Sequence, residues 1–501
     1  MASLKKLAGQ TVWYGISNIA ARLLTFLLTP YLTHMLTGEK GHVVYGQYGY
    51  IYSIFPIMNV LYTYGMETSF FRFSISEDKQ KLYRTQVSAM LLSTFCLTLL
   101  LYAFRSPLAV FAEMSDHVEY IGWCAIIIGL DAMSALPYAR LRKENRPRKY
   151  AFTKVAGIVV FVFTIVFLFS FGEKVAAHDP GGLFATWYKN NWGLGFILFA
   201  NILQSAVTLL LLFKEFKDYR PVFDAAIFKK VFFYGYPILI AGFAGQINDS
   251  LNRVMFLKLY PAPHRESLSL LAFYTAALRL SILINLVIQA FRLAAEPFFF
   301  SISSEKSAPG TYARIMKWFV ILLTLMFLNV MLYLDIWKHF VNHEYWRALG
   351  VVPVLLLSYI FLGVYYNLTV WYKLTDKTHY GTYIMICGSL VTVIFNWALI
   401  PTWGYYACAW GTLLCYAVMM FLSFFWGQKF YHIPYDVRGF FKYIGLMLLL
   451  FFINDGICRV VSGTVLHLLI GTALFFVYLV YIYMQERNEL RSFPVIGKWI
   501  R

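Results

Sequence analysis

"YARLRKENRPRKYAFTKVAGIVVFVFTIVFLFSF", residues 138–171, decides the fold. Six basic side chains (Arg140, Arg142, Lys143, Arg146, Arg148, Lys149) crowd its first part, and the apolar run after them carries one charge, Lys154. As a helix rising 1.5 Å per residue, about 20 apolar residues cross a hydrocarbon core of roughly 30 Å. A basic cluster pressed against such a run marks a membrane surface.

Working outward, runs of this kind recur about fourteen times. They lie near 11–35, 45–71, 85–104, 117–137, 150–171, 192–213, 231–254, 268–291, 315–335, 349–371, 381–400, 404–426, 439–460 and 463–484. The composition agrees: 60% of residues are hydrophobic and 14% charged, against about a quarter charged in soluble domains. Lys5 and Lys6 precede a long, polar-flecked first span without a small-x-small cleavage pattern, so this span is expected to be retained. The six cysteines all fall in apolar runs without CxxC spacing, which argues against a disulfide framework or a zinc site.

The net charge of +18 raises nucleic acid as a partner, and the placement of the charges excludes it, since no basic surface interleaved with stacking aromatics stands outside the spans. With a cytoplasmic N-terminus, one set of loops and the tail hold about 30 Lys and Arg, the opposite loops about 10 and the spans about 3. That asymmetry predicts an all-α integral membrane protein with both termini cytoplasmic. No GxxxxGK[ST] phosphate loop is present, so ATP hydrolysis by this chain is not expected. His339 and His343 share one helical face without an evident third ligand, so neither metal nor cofactor is expected.

Two comparisons within the chain suggest a repeat. "WYGISNIAA" (13–21) answers "FFYGYPILIA" (232–241), and "WGLGFILFANILQSAV" (192–207) answers "WGYYACAWGTLLCYAV" (403–418). The shift predicts two six-helix lobes, 1–220 and 221–430, related by a pseudo-two-fold along the membrane normal, with two extra helices and a tail in 431–501.

Four stretches in one order then resemble the polysaccharide transporter branch, the O-antigen and capsule flippases, of the multidrug, oligosaccharidyl-lipid and polysaccharide exporter superfamily. They are "VVYGQYGYIYSIFPIMNVLYTYGMETSFFRF" (43–73), "LPYARLRKENRPRKYA" (136–151), "LAFYTAALRLSILINLVIQAFRLAAEPFF" (271–299) and "NWALIPTWGYYACAWGTLLCYAV" (396–418). The resemblance implies a multi-pass inner-membrane protein that moves a polyprenyl-diphosphate-linked oligosaccharide from the cytoplasmic to the outer leaflet by alternating access. The two extra C-terminal spans are similar to those of fourteen-helix members, among them lipid II flippases. The turn "TGEKGHVVYG" and the 172–191 loop are longer than the family's pattern.

Charges inside the spans cost from about 2.5 kcal/mol upward and so mark candidate sites. Arg22 and Arg279 lie halfway along the first and eighth spans, where guanidinium groups can hold a diphosphate or acidic sugar; Lys154 is a third candidate contact. The alternative for each is a structural pair. Asp249 and Arg253, i and i+4 on the seventh span, together with Asp131 and Glu67, are candidates for gating or ion coupling, with pairing or solvation as the competing readings. The six residues of the basic cluster form a candidate cytoplasmic rim, which either sets topology alone or also gathers anionic lipids. Tyr45, Trp192, Trp371, Tyr372, Trp403 and Tyr405 read as interface anchors.

The reading is a non-enzymatic flippase for O-antigen, capsule or exopolysaccharide repeat units, with the lipid-linked oligosaccharide and anionic lipids as partners, and a polysaccharide polymerase, assembly proteins and H+ or Na+ as further ones. A cation-coupled multidrug antiporter on the same scaffold and a lipid II flippase are the alternatives. A membrane glycosyltransferase needs a larger external loop or clustered acids.

Overall fold

The computed structural model describes residues 19–491 except 21, 75, 113 and 218, with backbone alone at 241, 244, 247–249, 293, 294, 296 and 297. The chain runs through α1 (22–35), α2 (Gly38–Thr63), α3 (Met66–Phe73), α4 (Lys79–Ala103), α5 (Arg105–Phe111), α6 (Val118–Lys143) and α7 (Pro147–Ser170). It continues through α8 (Gly172–His178), α9 (Leu183–Asn190), α10 (Leu194–Leu212), α11 (Ala225–Leu259), α12 (His264–Ser301) and α13 (Ala308–Leu332). The remainder forms α14 (Leu334–Trp337), α15 (Val352–Leu368), α16 (Val370–Leu374), α17 (His379–Trp403), α18 (Tyr405–Phe430), α19 (Val437–Val460) and α20 (Thr464–Leu490). Among the described residues there is no strand.

Eleven helices among the described residues are long and apolar enough to cross a membrane. Of the other expected spans, 45–71 coincides with α2 and α3, 231–254 lies within α11, and 11–35 falls partly outside the described residues.

Local chemistry sets the helix ends. The Asp78 carboxylate accepts from the Lys81 N–H at 2.7 Å and starts α4, and Asp224 accepts from Ala226 and Ile227 at 2.9 and 3.0 Å and starts α11. Pro147 opens α7, where its missing N–H costs nothing. Between α2 and α3, Tyr64 and Gly65 take φ of 31° and 75°. Gly65 also lies so close to the Gly235 backbone that a Cβ would approach its carbonyl to 2.8 Å.

The chain divides into two compact units. The first comprises residues 1–279 and 379–415. In it α10 packs between α6 and α7, α4 against α6, and α11 against α2 and α17. The 172–191 loop is helical: α8 and α9 close over Leu168, Ala176, Ala185, Tyr188 and Phe196. A buried polar clamp joins α11, α17 and α18, where Asn252 donates to Thr412 at 2.7 Å and accepts from Asn396 at 2.5 Å.

The second unit comprises residues 280–378 and 416–501. There α13 packs against α15, α19 and α20. Lys317 of α13 reaches Glu486 and Glu489 of α20 at 2.6 and 2.8 Å, and Tyr443 of α19 donates to Glu486 at 2.6 Å. This network ties the last two helices to α13 with each charge partnered, the condition for burying ions at tolerable cost. Trp371 and Tyr372 are not interface anchors: both are buried, and Trp371 stacks on Phe430 and donates to Ser423 at 3.3 Å. The short α16 carries Trp371 against α18, so an indole that composition assigns to the membrane surface becomes core.

Candidate functional site

The first unit holds a band of polar groups inside its helices. Tyr45, Tyr48 and Tyr52 of α2 stand at i, i+3 and i+7, one helical face. Their rings form a ladder with centroids 5.7 and 4.6 Å apart, continued by Phe55 at 4.9 Å. Gly46 and Gly49 between them bring α2 against α12, where a Cβ at Gly46 would collide with the Leu268 carbonyl and one at Gly49 with the Thr275 hydroxyl.

Arg279 of α12 donates to the Tyr48 hydroxyl at 3.0 Å, with its guanidinium carbon 5.7 Å from the ring centre. Arg253 of α11 donates to the Gly49 carbonyl at 3.0 Å. On the other side of the ladder Asn201 of α10 donates to the Tyr52 hydroxyl at 2.9 Å. One turn further along α10, Ser205 donates to Asp131 of α6 at 2.7 Å. Lys154 of α7 faces Asp131 electrostatically and stands 5.8 and 5.6 Å from the rings of Tyr138 and Tyr150. Cations and hydrogen-bonding phenols thus share one seam, an arrangement that binds anions and sugars more readily than cations.

Of the expected site residues, Arg279, Arg253, Asp131 and Lys154 belong to this band. Arg22 lies on α1 with its side chain exposed. The Asp249 side chain lies outside the described residues, and with it the expected pair with Arg253. Glu67 pairs with Arg142, tying α3 to the end of α6.

The basic cluster is largely tied up within the protein. Glu215, just past α10 and only 2% exposed, receives Lys149 at 2.5 Å and Arg146 at 2.9 Å. Arg140 donates to the Glu215 carbonyl at 2.9 Å and to the Glu144 carboxylate at 2.6 Å. Burial works to raise the Glu144 carboxyl, and the hydrogen bonds from Arg140 and Arg146 outweigh it and hold it below its ordinary range. Nearby, Lys81 meets Asp224 at 2.7 Å and Lys230 meets Glu77 at 2.8 Å, joining the start of α11 to the turn before α4.

Sequence reading missed the tyrosine ladder, although the i, i+3, i+7 spacing was its signal, because aromatics near span ends also make interface belts. It missed Glu215, whose signal was an acid set between Lys214 and Lys217 in a basic loop. Among the described residues no group of His, Cys, Asp or Glu is arranged to hold a metal ion.

The fold compares closely with solved transporters. A lipid II flippase, MurJ, in an inward closed conformation superposes with a TM-score of 0.70 at 14% identity, covering 95% of this chain and 99% of that one. A multidrug resistance MATE family transporter of the MOP superfamily, inward-facing, gives 0.58 at 14% identity over 84% and 94%. MATE in the straight conformation gives 0.59 at 13% over 85% and 95%. No curated protein matches the chain in sequence. The profile of the polysaccharide biosynthesis protein family matches residues 7–303, more than half of the chain. This multi-pass membrane protein therefore belongs to the polysaccharide biosynthesis protein family and is built on the helical fold of MOP-superfamily transporters.

Proposed function

We propose that this chain is a flippase that moves a polyprenyl-diphosphate-linked oligosaccharide, an O-antigen, capsule or exopolysaccharide repeat unit, from the cytoplasmic to the periplasmic leaflet of the inner membrane. Family membership supports the reading, and the observation that carries it is Arg279 held on the Tyr48 hydroxyl at 3.0 Å within the aromatic and polar band of α2. In that band Asp131 faces Lys154, and two guanidinium groups, Arg253 and Arg279, stand against α2. Guanidinium groups suit a diphosphate through charge-assisted, bidentate hydrogen bonds. Tyrosine rings at the same level offer faces on which sugars stack. The two lobes, 1–220 and 221–430, are the bodies that exchange access, with H+ or Na+ as the coupling ion.

The test is genetic and biochemical. Deleting the gene leaves lipid-linked repeat units on the cytoplasmic leaflet and removes surface glycan. Wild-type protein restores display, and Arg279→Ala at equal membrane abundance does not. Full display from Arg279→Ala, or repeat units reaching the periplasm without the gene, overturns the proposal.

A further inference from the structure

Between α7, α9 and α10 the first unit carries a groove of about 520 Å³. Its walls are Phe163 and Phe167 of α7 and Phe199 and Leu203 of α10, and α9 adds Leu183, Phe184 and Trp187. Among the described residues that line it none is charged, and Thr164 supplies the one hydroxyl. Both α7 and α10 are long and apolar enough to cross a membrane. At 1.5 Å per residue, Phe163 lies about 24 Å along α7 from Pro147 and the basic cluster. In a hydrocarbon core of roughly 30 Å, that depth belongs to the leaflet remote from the cluster.

Phe163, Phe167 and Phe171 stand at i, i+4 and i+8 and form an exposed stripe on α7, with ring centroids 6.4 and 6.5 Å apart. Leu183, 93% exposed, lines the same groove from a different element. A single exposed leucine needs no explanation, whereas an apolar surface continuous over two elements calls for a partner. The position of α9 is set by packing: Trp187 stacks on Phe196 at 5.8 Å and meets Phe199 edge-on at 5.0 Å, and Asn191 donates to the Trp187 carbonyl at 2.9 Å. The first turn of α9 carries no charge, while the exposed ionic groups Glu173, Lys174 and Asp179 sit in α8 and the turn after it. This division of apolar and charged groups is that of an element lying in the membrane interface. The groove is continuous with the apolar flank of a membrane-crossing helix, so what reaches it is hydrocarbon.

We propose that the groove between α7, α9 and α10 holds an acyl chain of a membrane phospholipid from the leaflet remote from the basic cluster, with Leu183 and Phe184 at the start of α9 embedded in that leaflet. A chain lying there covers Phe163, Phe167 and Leu183 together. The site stands apart from the transport reading, since none of its lining residues belongs to the polar band of α2 and its test measures lipid contact alone.

Full-length protein carrying the photoreactive residue p-benzoylphenylalanine at position 183, 163 or 174 is placed in phosphatidylcholine nanodiscs, illuminated, and examined by mass spectrometry for a lipid adduct. The probe at Leu183 gives an adduct comparable with that at Phe163 and at least tenfold above that at the exposed Lys174. Separately, protein purified from membranes in mild detergent is examined for retained lipid by native mass spectrometry. Wild type retains a phospholipid, Thr164→Trp, which fills the groove, lowers retention at least fivefold, and Leu92→Trp, on the exposed flank of α4, does not. An adduct at position 183 no greater than at 174, equal retention by the two Trp variants, or a polyprenyl phosphate retained in place of a phospholipid overturns the proposal. Such a failure leaves the Arg279 test of transport unaffected.

Discussion

Gly46→Ala is the sharpest probe of the seam between α2 and α12. A Cβ at this position meets the Leu268 carbonyl, a backbone group that cannot rotate away as a side chain tip would. The helices must separate, and overpacking of this kind costs about 1–3 kcal/mol. If the separated arrangement bears no such cost, the balance moves toward it by roughly 5- to 150-fold, since about 1.4 kcal/mol is a factor of ten. Gly445 of α19 is the control, because a Cβ there meets nothing within 4 Å. Gly445→Ala should stabilise the protein by up to about 1 kcal/mol through helix propensity alone. Spin labels at Val43 and Arg265 report the seam by pulsed distance measurement, and thermal unfolding reports stability. Gly46→Ala should populate a longer distance and lower the unfolding temperature while Gly445→Ala does neither. An unchanged distance distribution together with unchanged stability in Gly46→Ala refutes close helix contact at Leu268.

Other outcomes follow from single contacts. Tyr48→Phe and Arg279→Ala should be non-additive in thermal stability by about 1 kcal/mol, the worth of a hydrogen bond to a charged donor less its solvent competition; additivity would mean the two side chains do not interact. Glu215→Gln should destabilise the fold by about 1–3 kcal/mol, below the full penalty for breaking a buried pair, because Arg146 and Lys149, 42% and 24% exposed, can turn to water; Lys306→Gln, on the surface, serves as reference. The hydrogen bond from Lys81, then the Ile227 N–H, hold the Asp224 carboxyl down to about 2. A depressed folded value means that its contribution to stability is present above the ordinary value near 4 and fades as pH falls toward 2. In Lys81→Gln the midpoint of Asp224, followed by carboxyl NMR, should move up toward 4, and a midpoint that stays near 2 would remove Lys81 as the cause.

What the sequence made legible was whatever the solvent dictates residue by residue. Apolar length set α7 and α10 in place. Arg279 was visible as a charge too deep for water. What stayed hidden depends on pairing across long separations. Glu215 meets Arg146 and Lys149 across 69 and 66 residues, and Tyr48 meets Arg279 across 231, distances over which composition carries no information. Trp371 misled for a related reason: an indole suits both a membrane interface and a core, and only α18 packing decides between them.

The same pairing separates two uses of positive charge that look identical in sequence. Arg140, Arg146 and Lys149 spend their charge on Glu215 and Glu144, fastening the α6–α7 turn to the segment after α10. A salt bridge so placed fixes register and leaves little field for a ligand. Arg279 donates to a neutral phenol, and a neutral acceptor does not cancel a cation. An anion reaching Tyr48 therefore meets a guanidinium whose charge is uncompensated by that bond, already oriented by it. Orientation before binding lowers the entropy lost when the ligand arrives. Substituting Arg279 by Lys keeps the charge and loses the planar fork, so the variant should bind a diphosphate lipid more weakly than wild type and more strongly than Arg279→Ala. If Lys and Ala variants bind equally, the geometry of the fork, rather than the charge, carries recognition; if Lys matches wild type, orientation by Tyr48 contributes nothing and the ladder is packing alone.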